Sequence, residues 1–414
     1  MKILRSVIAL VFTLYGMGVR AQVFTVSVTN PSATDRRDVP VVIDLKKTLG
    51  KKVVNIQSAE VAATSQQGRS EGETIPSQLD DLNGDLIPDE LAFVADIPAR
   101  TTLSFCVRCA AVSPQRSYPA RTAAFMKVWD RKYRYPYINN IEYQGCNAPL
   151  ATYDAIYGHG AQWESELVGF RVYIDHRQSI DIYGKPTPQL VLDKTNFYAT
   201  REDIAAGRGC DILFAGASVG AGSFRGYLGG QPTYVDSVTA RGQRVVASGP
   251  VRAIVEVTDK NWLYNGKTLQ MRQLYTIYAG HRDVQVDIRL AGEGIDSEDF
   301  CTGVQKLEMD NEGFLEADGL AGSWGRNIPD KAAEDLIEGV GLGVFAAKPY
   351  LTSTKEDDLN YLTLLHPVEG RITYHLTICA LMERNGFRSA NDWFSWLRQW
   401  KAGLDQPCII KVKH

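Results

Sequence analysis

The feature that most constrains the fold of this chain is the alternation of apolar and polar residues, which recurs nearly throughout its 414 residues. A period of two predicts β-strands that place one face on a core. It is clear in the stretches VFTVSVTN, VPVVIDL, VGFRVYID and SIDIYG. The stretches TLQMRQLYTIYAG and DVQVDIRLAG, which join at residues 280–282, indicate a long hairpin. The pattern predicts an all-β protein of mostly antiparallel strands.

Helical periodicity is best developed near the C-terminus, in SANDWFSWLRQWKAGL, where Ser389 or Asn391 could act as the N-cap. Its tryptophans fall on one stripe, which favours packing onto a sheet over stacking on sugars. Residues 22–115 predict a small β-sandwich that ends in a linker rich in proline, serine and arginine. The longer strands beyond it predict a large two-sheet sandwich over residues 123–414.

The first residues are typical of a secretory signal peptide. Lys2 and Arg5 precede an apolar run over residues 7–17, and small side chains lead to a cleavage site after Ala21. The run is too short to span a bilayer. We therefore expect residues 1–21 to be removed and the mature protein to be periplasmic or secreted.

Charge and hydropathy narrow the range of partners. The formal net charge is −3 for the whole chain, and it becomes −6 when the three basic residues of the signal peptide are removed. A mildly acidic protein without basic runs is a poor candidate for binding nucleic acid. No later segment is long and apolar enough to predict membrane insertion.

An acidic stretch, DDLNGDLIPDEL, is a candidate metal site. Its oxygen-bearing side chains follow the pattern D-x-N-x-D-x-x-x-D, and they are Asp81, Asn83, Asp85 and Asp89. Alternate oxygen ligands around a turn suit Ca²⁺. The loop departs from an EF-hand because Leu86 stands at position six and no Glu stands at position twelve. The two interpretations are a structural calcium site and a solvated acidic turn.

The stretch YGHGAQWESE is a candidate catalytic loop. Glycines flank His159, so the backbone there can approach a ligand closely. Trp163 offers a flat face to a sugar ring. Glu164 and Glu166 raise the possibility of glycoside hydrolysis by paired carboxylates. Solvated glutamates before a strand give the same pattern.

The strand that follows alternates in a way that separates its apolar and polar side chains. Arg171, Tyr173 and Asp175 share one face, and if residues 180–184 pair with this strand, Asp181 and Tyr183 join them. Arginine can hold a carboxylate, and tyrosine can donate or accept a proton. The alternative is an ordinary polar face with cross-strand ion pairs.

The stretch YGHGAQWESELVGFRVYIDHRQSIDIYGK resembles the family called domain of unknown function 4861, and GCDILFAGASVGAGSF resembles a second block of it. The stretches DLNGDLIPDELAFVADI and DWFSWLRQWKAGLDQPCIIKV are similar in style. These are exported proteins, frequent in Bacteroidetes and found with polysaccharide-degrading enzymes. The resemblance implies a β-supersandwich of the galactose-mutarotase or lyase type. It also implies action on uronic-acid-containing oligosaccharides, as in a relative that acts as a dehydratase in ulvan breakdown.

This implied activity is a β-elimination, in which a base takes the proton α to the uronate carboxylate and an acid protonates the group that leaves C4. We expect His159 and Tyr173 to share the acid and base roles, with Arg171 on the carboxylate. The residues expected to bind substrate are Trp163 as the platform, Glu164, which would orient His159, Arg177 on the carboxylate, Asp175 and Lys185.

Two other function classes stay open at this point. One is a non-catalytic glycan-binding protein that uses the same aromatic and arginine face, and the other is a glycoside hydrolase that uses Glu164 and Glu166. In each case the expected partner is an oligosaccharide or polysaccharide. No cofactor is expected to be required apart from the structural calcium ion considered above.

Overall fold

The computed structural model describes residues 21–64, 74–111, 115–129, 132, 136–145, 154–329 and 337–413. The predicted signal peptide lies outside the described residues apart from Ala21, and part of the predicted linker over residues 113–121 does so too. In the described part of the chain, no helix combines the length and the apolarity needed to cross a membrane.

The N-terminal unit is a small sandwich of two antiparallel sheets. Its strands are β1 (Gln22–Thr29), β2 (Arg36–Asp44), β3 (Ser58–Ala63), β4 (Thr74–Ile75), β5 (Ser77–Asp80), β6 (Glu90–Ile97) and β7 (Thr102–Ala110). Helix α1 (Leu45–Leu49) and the 3-10 helix Gly50–Asn55 follow β2. One sheet contains β1, β7, β3 and β4, and the other has the order β2-β6-β5.

The second unit begins with a sheet of short strands. These are β8 (Thr122–Lys127), β9 (Tyr137–Ile138), β10 (Asn140–Gln144), β11 (Gly160–Ser165), β12 (Gly169–Tyr173), β13 (Ile180–Gly184) and β14 (Cys210–Asp211). All of them except β10 form a six-stranded sheet in the order β14-β13-β12-β11-β8-β9. A 3-10 turn, Tyr157–His159, leads into β11, while helices α2 (Leu192–Thr195) and α3 (Arg201–Ala205) lie between β13 and β14.

Longer strands complete the second unit. They are β15 (Arg225–Leu228), β16 (Gln231–Thr233), β17 (Ala240–Ser248), β18 (Arg252–Tyr264), β19 (Lys267–Tyr278), β20 (Asp283–Ala291), β21 (Phe300–Gln305), β22 (Met309–Leu315), β23 (Leu320–Asn327), β24 (Glu338–Phe345), β25 (Leu351–Glu356), β26 (Asn360–Leu365) and β27 (Arg371–Ala380). The 3-10 turn Ile295–Ser297 precedes β21. A nine-stranded sheet has the order β10-β17-β18-β19-β20-β27-β24-β23-β22, and a five-stranded sheet has the order β16-β15-β21-β26-β25.

One apolar core joins these three sheets. It includes Phe170 and Ile182 from the six-stranded sheet, Val255 and Tyr374 from the nine-stranded sheet, and Val304 from the five-stranded sheet. The long sheet therefore faces the two shorter ones across a shared interior, as in a β-supersandwich. The predicted all-β fold class and the predicted antiparallel hairpin of β19 and β20 are confirmed.

The C-terminal segment contributes to both units. Helix α4 (Ala390–Asp405) has Ser389 as its N-cap, and Trp393 is buried with its indole N–H donating to the carbonyl of Leu342. The stripe of tryptophans thus packs on the sheet, as its spacing predicts. Strand β28 (Ile409–Lys413) then pairs with β1 at the edge of the N-terminal sheet. The last strand therefore lies in the small sandwich and not in the second unit over residues 123–414, because its edge backbone groups find their partners there.

Ion pairs, buried at Arg252 and half-buried at Arg121, join the small sandwich to the large one. Arg252 on β18 donates to Asp80 and to Glu90, both at 2.7 Å. Arg121 binds Asp38 of the small sandwich at 2.7 Å and Glu166 at 2.6 Å. These bonds join β18 and the segments beside β8 and β11 to the small sandwich.

Candidate active site

A pocket of about 610 Å³ lies at the polar face of β12 and β13, under the segment that carries α2 and α3. The residues that line it with acidic, basic or aromatic side chains are His159, Arg171, Tyr173, Arg177, Asp181, Phe197, Tyr198, Arg201, Asp211 and Phe214. Strands β12 and β13 pair with Arg171 opposite Asp181, in the hairpin that the alternation predicts. The pocket therefore contains the three predicted catalytic residues and Arg177.

Arg171 is the buried centre of the site. Its guanidinium donates to one carboxylate oxygen of Asp181 from Nε at 2.8 Å and from Nη2 at 2.5 Å, and Asp211 lies at 3.8 Å. Phe197 covers the group, with its ring centroid 4.4 Å from the guanidinium carbon. Burial opposes the charge, but Asp181 keeps the pKa of Arg171 above its usual value. Arg171 is therefore a fixed cation whose donors are largely used within the protein.

Tyr173 lies between two guanidinium groups. Arg171 donates to its phenol oxygen at 2.8 Å, and the guanidinium carbons of Arg171 and Arg177 lie 4.8 and 4.6 Å from its ring centroid. Asp175 holds Arg177 in place by accepting from its Nε at 2.8 Å. Asp175 itself is buried and does not line the pocket, so it positions Arg177 and is too far back to bind a substrate. The phenol is thus oriented by Arg171 on one side and Arg177 on the other.

His159 reaches the pocket because of the backbone of its turn. Residues 158–160 all have positive φ, at 76°, 58° and 158°. A Cβ at residue 160 would lie 1.9 Å from the carbonyl oxygen of Val172, so only glycine allows this approach. The imidazole stacks over Tyr173 with 6.3 Å between ring centroids and meets Tyr198 edge-on at 6.1 Å. The glycine-flanked loop therefore places His159 beside Tyr173.

Asp211 adds a second carboxyl group to the site. It lies at the start of the second of the two family-like stretches, GCDILFAGASVGAGSF, and pairs with the end of β13. Burial raises the pKa of Asp211 well above its usual range, the charge of Asp181 adds to this effect, and Arg171 opposes it. Burial therefore favours the protonated form of Asp211, which suits it to donate a proton or a hydrogen bond.

The prediction that Trp163 is a sugar platform is wrong. Its side chain is fully buried between Phe170, at 5.6 Å between ring centroids, and Tyr275, at 5.2 Å. Every residue of β11 is buried, because the six-stranded sheet is covered on both faces along this strand. Trp163 stabilises the core between the sheets.

Glu164 and Lys185 are also interior residues and not parts of the pocket. Both side chains are fully buried and form an ion pair at 2.5 Å. Glu164 accepts from the backbone N–H groups of Val191 and Leu192, so it cannot orient His159. Glu166 binds Arg121 and the N–H of Gly280 at the junction with the small sandwich. The paired-carboxylate hydrolase built on Glu164 and Glu166 is therefore excluded by their positions.

The acidic loop between β5 and β6 is stabilised by its own backbone. Asp81 accepts hydrogen bonds from the N–H groups of residues 83–86. Burial acts to raise the pKa of Asp81, but these donors together lower it below its usual value. In the residues that the structure describes, no three His, Cys, Asp or Glu side chains are grouped as metal ligands. Calcium binding by Asp81, Asn83, Asp85 and Asp89 remains a prediction.

The model of a family described as "Domain of unknown function (DUF4861)" matches residues 28–410. The chain belongs to this family. A comparison with curated proteins finds no significant match.

Solved structures give only a distant likeness. A protein in the glycosyl hydrolase family 38 from Enterococcus faecalis shares 8% identity at a TM-score of 0.48, over 95% of this chain and 47% of that one. An alpha-mannosidase from Enterococcus faecalis V583 shares 8% identity at 0.46, over 95% and 46%. The chain thus spans about half the length of these proteins, and at this similarity neither bears on its activity.

Five pocket residues of this family member escaped the sequence analysis: Phe197, Tyr198, Arg201, Asp211 and Phe214. The first three belong to the segment around α2 and α3, where no period marks a face. Phe197 has a φ of 70°, a conformation that sequence pattern does not reveal in a non-glycine residue. The capping box of Thr200 and Asp203 was the available signal, since it marks the start of α3 and with it the position of Arg201.

Proposed function

We propose that the protein is a carbohydrate-active carbon–oxygen lyase, a dehydratase or a lyase proper, that acts on uronic-acid-containing oligosaccharides by β-elimination. One observation carries this proposal: a single pocket brings together the imidazole of His159, the phenol of Tyr173 and a group of guanidinium ions. A base, an acid and a carboxylate clamp are the parts that this reaction needs.

The charges of the pocket favour an anionic ligand. Three arginines line it, Arg171, Arg177 and Arg201, and two aspartates, Asp181 and Asp211. The three cations exceed the two carboxyl groups, and burial, which raises the pKa of Asp211, enlarges this excess of positive charge. Arg171 is buried against Asp181, whereas Arg177 and Arg201 are more exposed, so we assign the substrate carboxylate to Arg177 and Arg201. The volume of about 610 Å³ is within the usual range for a small-molecule site.

The proposed step conserves atoms and electrons. His159 takes the proton from C5, α to the uronate carboxylate, and the electron pair of that bond forms the C4=C5 double bond. The C4–O bond breaks, and the departing oxygen takes a proton from Tyr173 to leave as water or as a sugar hydroxyl. Arg171 donates to the phenol oxygen and so stabilises the negative charge that remains there. Proton return from His159 to Tyr173 restores the starting state.

Arg171 is a positioning residue in this scheme. Its donors face Asp181 and Tyr173, and its side chain is only 4% exposed. It acts on the reaction by holding the phenol and by balancing the buried carboxylates. Arg177, with 37% of its side chain exposed, and Arg201, which is exposed at the start of α3, are the groups that can reach a ligand.

Product analysis tests the proposal. The protein is incubated with two kinds of oligosaccharide: one carries glucuronate at the non-reducing end, where C4 bears a hydroxyl, and the other carries an internal glucuronate whose C4 bears a sugar. The products are followed by ultraviolet absorbance and mass spectrometry. Elimination gives an unsaturated uronate that absorbs in the ultraviolet. Loss of one water marks a dehydratase, and cleavage without added water marks a lyase. A saturated, cleaved product would indicate hydrolysis, and binding without any product would indicate a glycan-binding protein; either result would refute the proposal.

A further inference from the structure

Beside the pocket lies an exposed aromatic surface that the elimination step does not use. Trp129 follows β8, and 43% of its surface is exposed. The chain has seven tryptophans, all within the described residues, and the other six are buried or half-buried. An exposed indole beside an open pocket is a feature that core packing does not require.

Contacts with the segment around Tyr157 fix the orientation of Trp129. Its ring stacks on the half-buried ring of Tyr157, with 4.5 Å between centroids and 14° between planes. A β-bridge between Val128 and Ile156 and a hydrogen bond from the N–H of Trp129 to the carbonyl of Ala155, at 2.7 Å, hold the two backbones together. One face of the indole is therefore covered by Tyr157, and the exposed surface is a rigid, flat platform.

Aromatic rings connect this platform to the pocket. Tyr157 meets the ring of Tyr198 edge-on at 6.4 Å, and Tyr198 meets the imidazole of His159 at 6.1 Å. Tyr198 lines the pocket, is 45% exposed, and is held by the guanidinium of Arg171 at 5.1 Å. The rings of Tyr198, Tyr157 and Trp129 thus form an aromatic strip that begins beside the proposed base, His159, and leads out of the pocket. The distances between successive rings are comparable to the length of a sugar unit.

We propose that Trp129, supported by Tyr157, is a second carbohydrate-binding subsite that stacks on a sugar unit beyond the uronate. The C–H faces of a sugar ring pack on an aromatic face, and the hydroxyl groups stay in water at the edge. The continuity of the strip with the pocket assigns the occupant, which is the remainder of the same oligosaccharide. The inference rests on the proposed function, and it adds that the protein prefers longer oligosaccharides to short ones.

Calorimetry with glucuronate-terminated oligosaccharides of two and four units tests this subsite. We expect Trp129→Ala to weaken the binding of the four-unit probe by about tenfold, equivalent to about 1.4 kcal/mol. Binding of the two-unit probe should change less than twofold, since that probe is held by the pocket. Trp129→Phe is the matched control, because it keeps an aromatic face and should retain the affinity for the four-unit probe within about threefold.

Tryptophan fluorescence gives an independent readout. The four-unit probe should alter the emission of the wild-type protein, and the change should vanish in Trp129→Phe although that variant still binds. The subsite would be overturned if Trp129→Ala bound the four-unit probe as tightly as the wild-type protein does, or if the substitution weakened the binding of both probes equally. The two proposals fail separately: length-dependent binding through Trp129 without unsaturated product would refute only the elimination, and product formation that is indifferent to Trp129 would refute only the subsite.

Discussion

Replacing Lys185 by methionine tests the finding that Glu164 and Lys185 form a buried structural pair and do not bind substrate. The ammonium group donates to Glu164 at 2.5 Å, to the carbonyl of Ser165 at 2.6 Å and to that of Gln189 at 3.0 Å. Burial lowers the pKa of Lys185, and Glu164 only partly opposes this effect. The substitution therefore leaves a buried carboxylate and two carbonyl groups without this donor.

Breaking a buried ion pair by removing one partner costs about 3–5 kcal/mol. Because both side chains are fully buried and three acceptors lose the ammonium group, we expect Lys185→Met to lower the free energy of unfolding by about 4 kcal/mol. Urea denaturation followed by circular dichroism measures this loss. The double variant Glu164→Gln/Lys185→Met should recover part of it, since no buried charge is then left unpaired.

Lys260→Met is the matched control. Lys260 pairs with Glu142 at 2.7 Å, but the two side chains are 52% and 45% exposed, so the loss should be below about 1 kcal/mol. If Lys185→Met costs no more than this control, the buried pair does not support the fold. Glu164 would then be available for another role, and its exclusion from the active site would be refuted.

Three further predictions follow from the described contacts. Burial opposes the charge of His281, but Asp283 raises the pKa of His281 to about 9, above the unfolded value of about 6.5. The protonated imidazole therefore adds about 3 kcal/mol to the free energy of unfolding. This stabilisation is fully present below pH 6.5 and is lost as the pH rises to 9. Urea denaturation should show that Asp283→Asn flattens this fall, and an unchanged slope would contradict the assignment. Arg177→Gln and Arg201→Gln should each raise KM for a uronate-terminated substrate about tenfold in steady-state kinetics, since each removes a charged hydrogen bond; unchanged KM in both would refute the carboxylate clamp. Asp81→Ala should destabilise the acidic turn by about 1 kcal/mol, because it removes the acceptor of the backbone hydrogen bonds in that turn. If calcium raises the melting temperature of the wild-type protein and this variant abolishes the rise, the calcium site is supported. Equal melting curves of the wild-type protein with and without calcium would count against it.

Sequence alone predicts the strands of this fold better than their burial. Alternation correctly identifies the hairpin of β12 and β13 and the side of it that carries Arg171 and Asp181. The same alternation misleads at Trp163 and Glu164, because it cannot tell a strand with one solvated face from a strand covered on both. A buried Glu164 is possible only because Lys185 lies opposite it, and this pairing is a tertiary property.

The site is predictable to the extent that it lies on regular strands and on the glycine-flanked turn. His159 and Tyr173 project from those elements, and their positions follow from period and from the need for glycine, while Arg177 lies in the turn that joins β12 to β13. Tyr198 enters the pocket from the irregular segment between α2 and α3, and Asp211 enters from the two-residue strand β14, so their proximity depends on the topology of the whole sheet. No sequence pattern marks Trp129 as a binding residue, because its orientation depends on its stacking contact with Tyr157, which is distant in sequence.

The most direct test of the central claim is the rate of unsaturated-uronate formation by the wild-type protein, His159→Ala and Tyr173→Phe at saturating substrate. Acid–base groups contribute about 10²- to 10⁴-fold each. We predict that the wild type forms the product and that each variant slows kcat at least about 100-fold with little change in KM. Full activity of both variants on a substrate that the wild type converts would contradict the account.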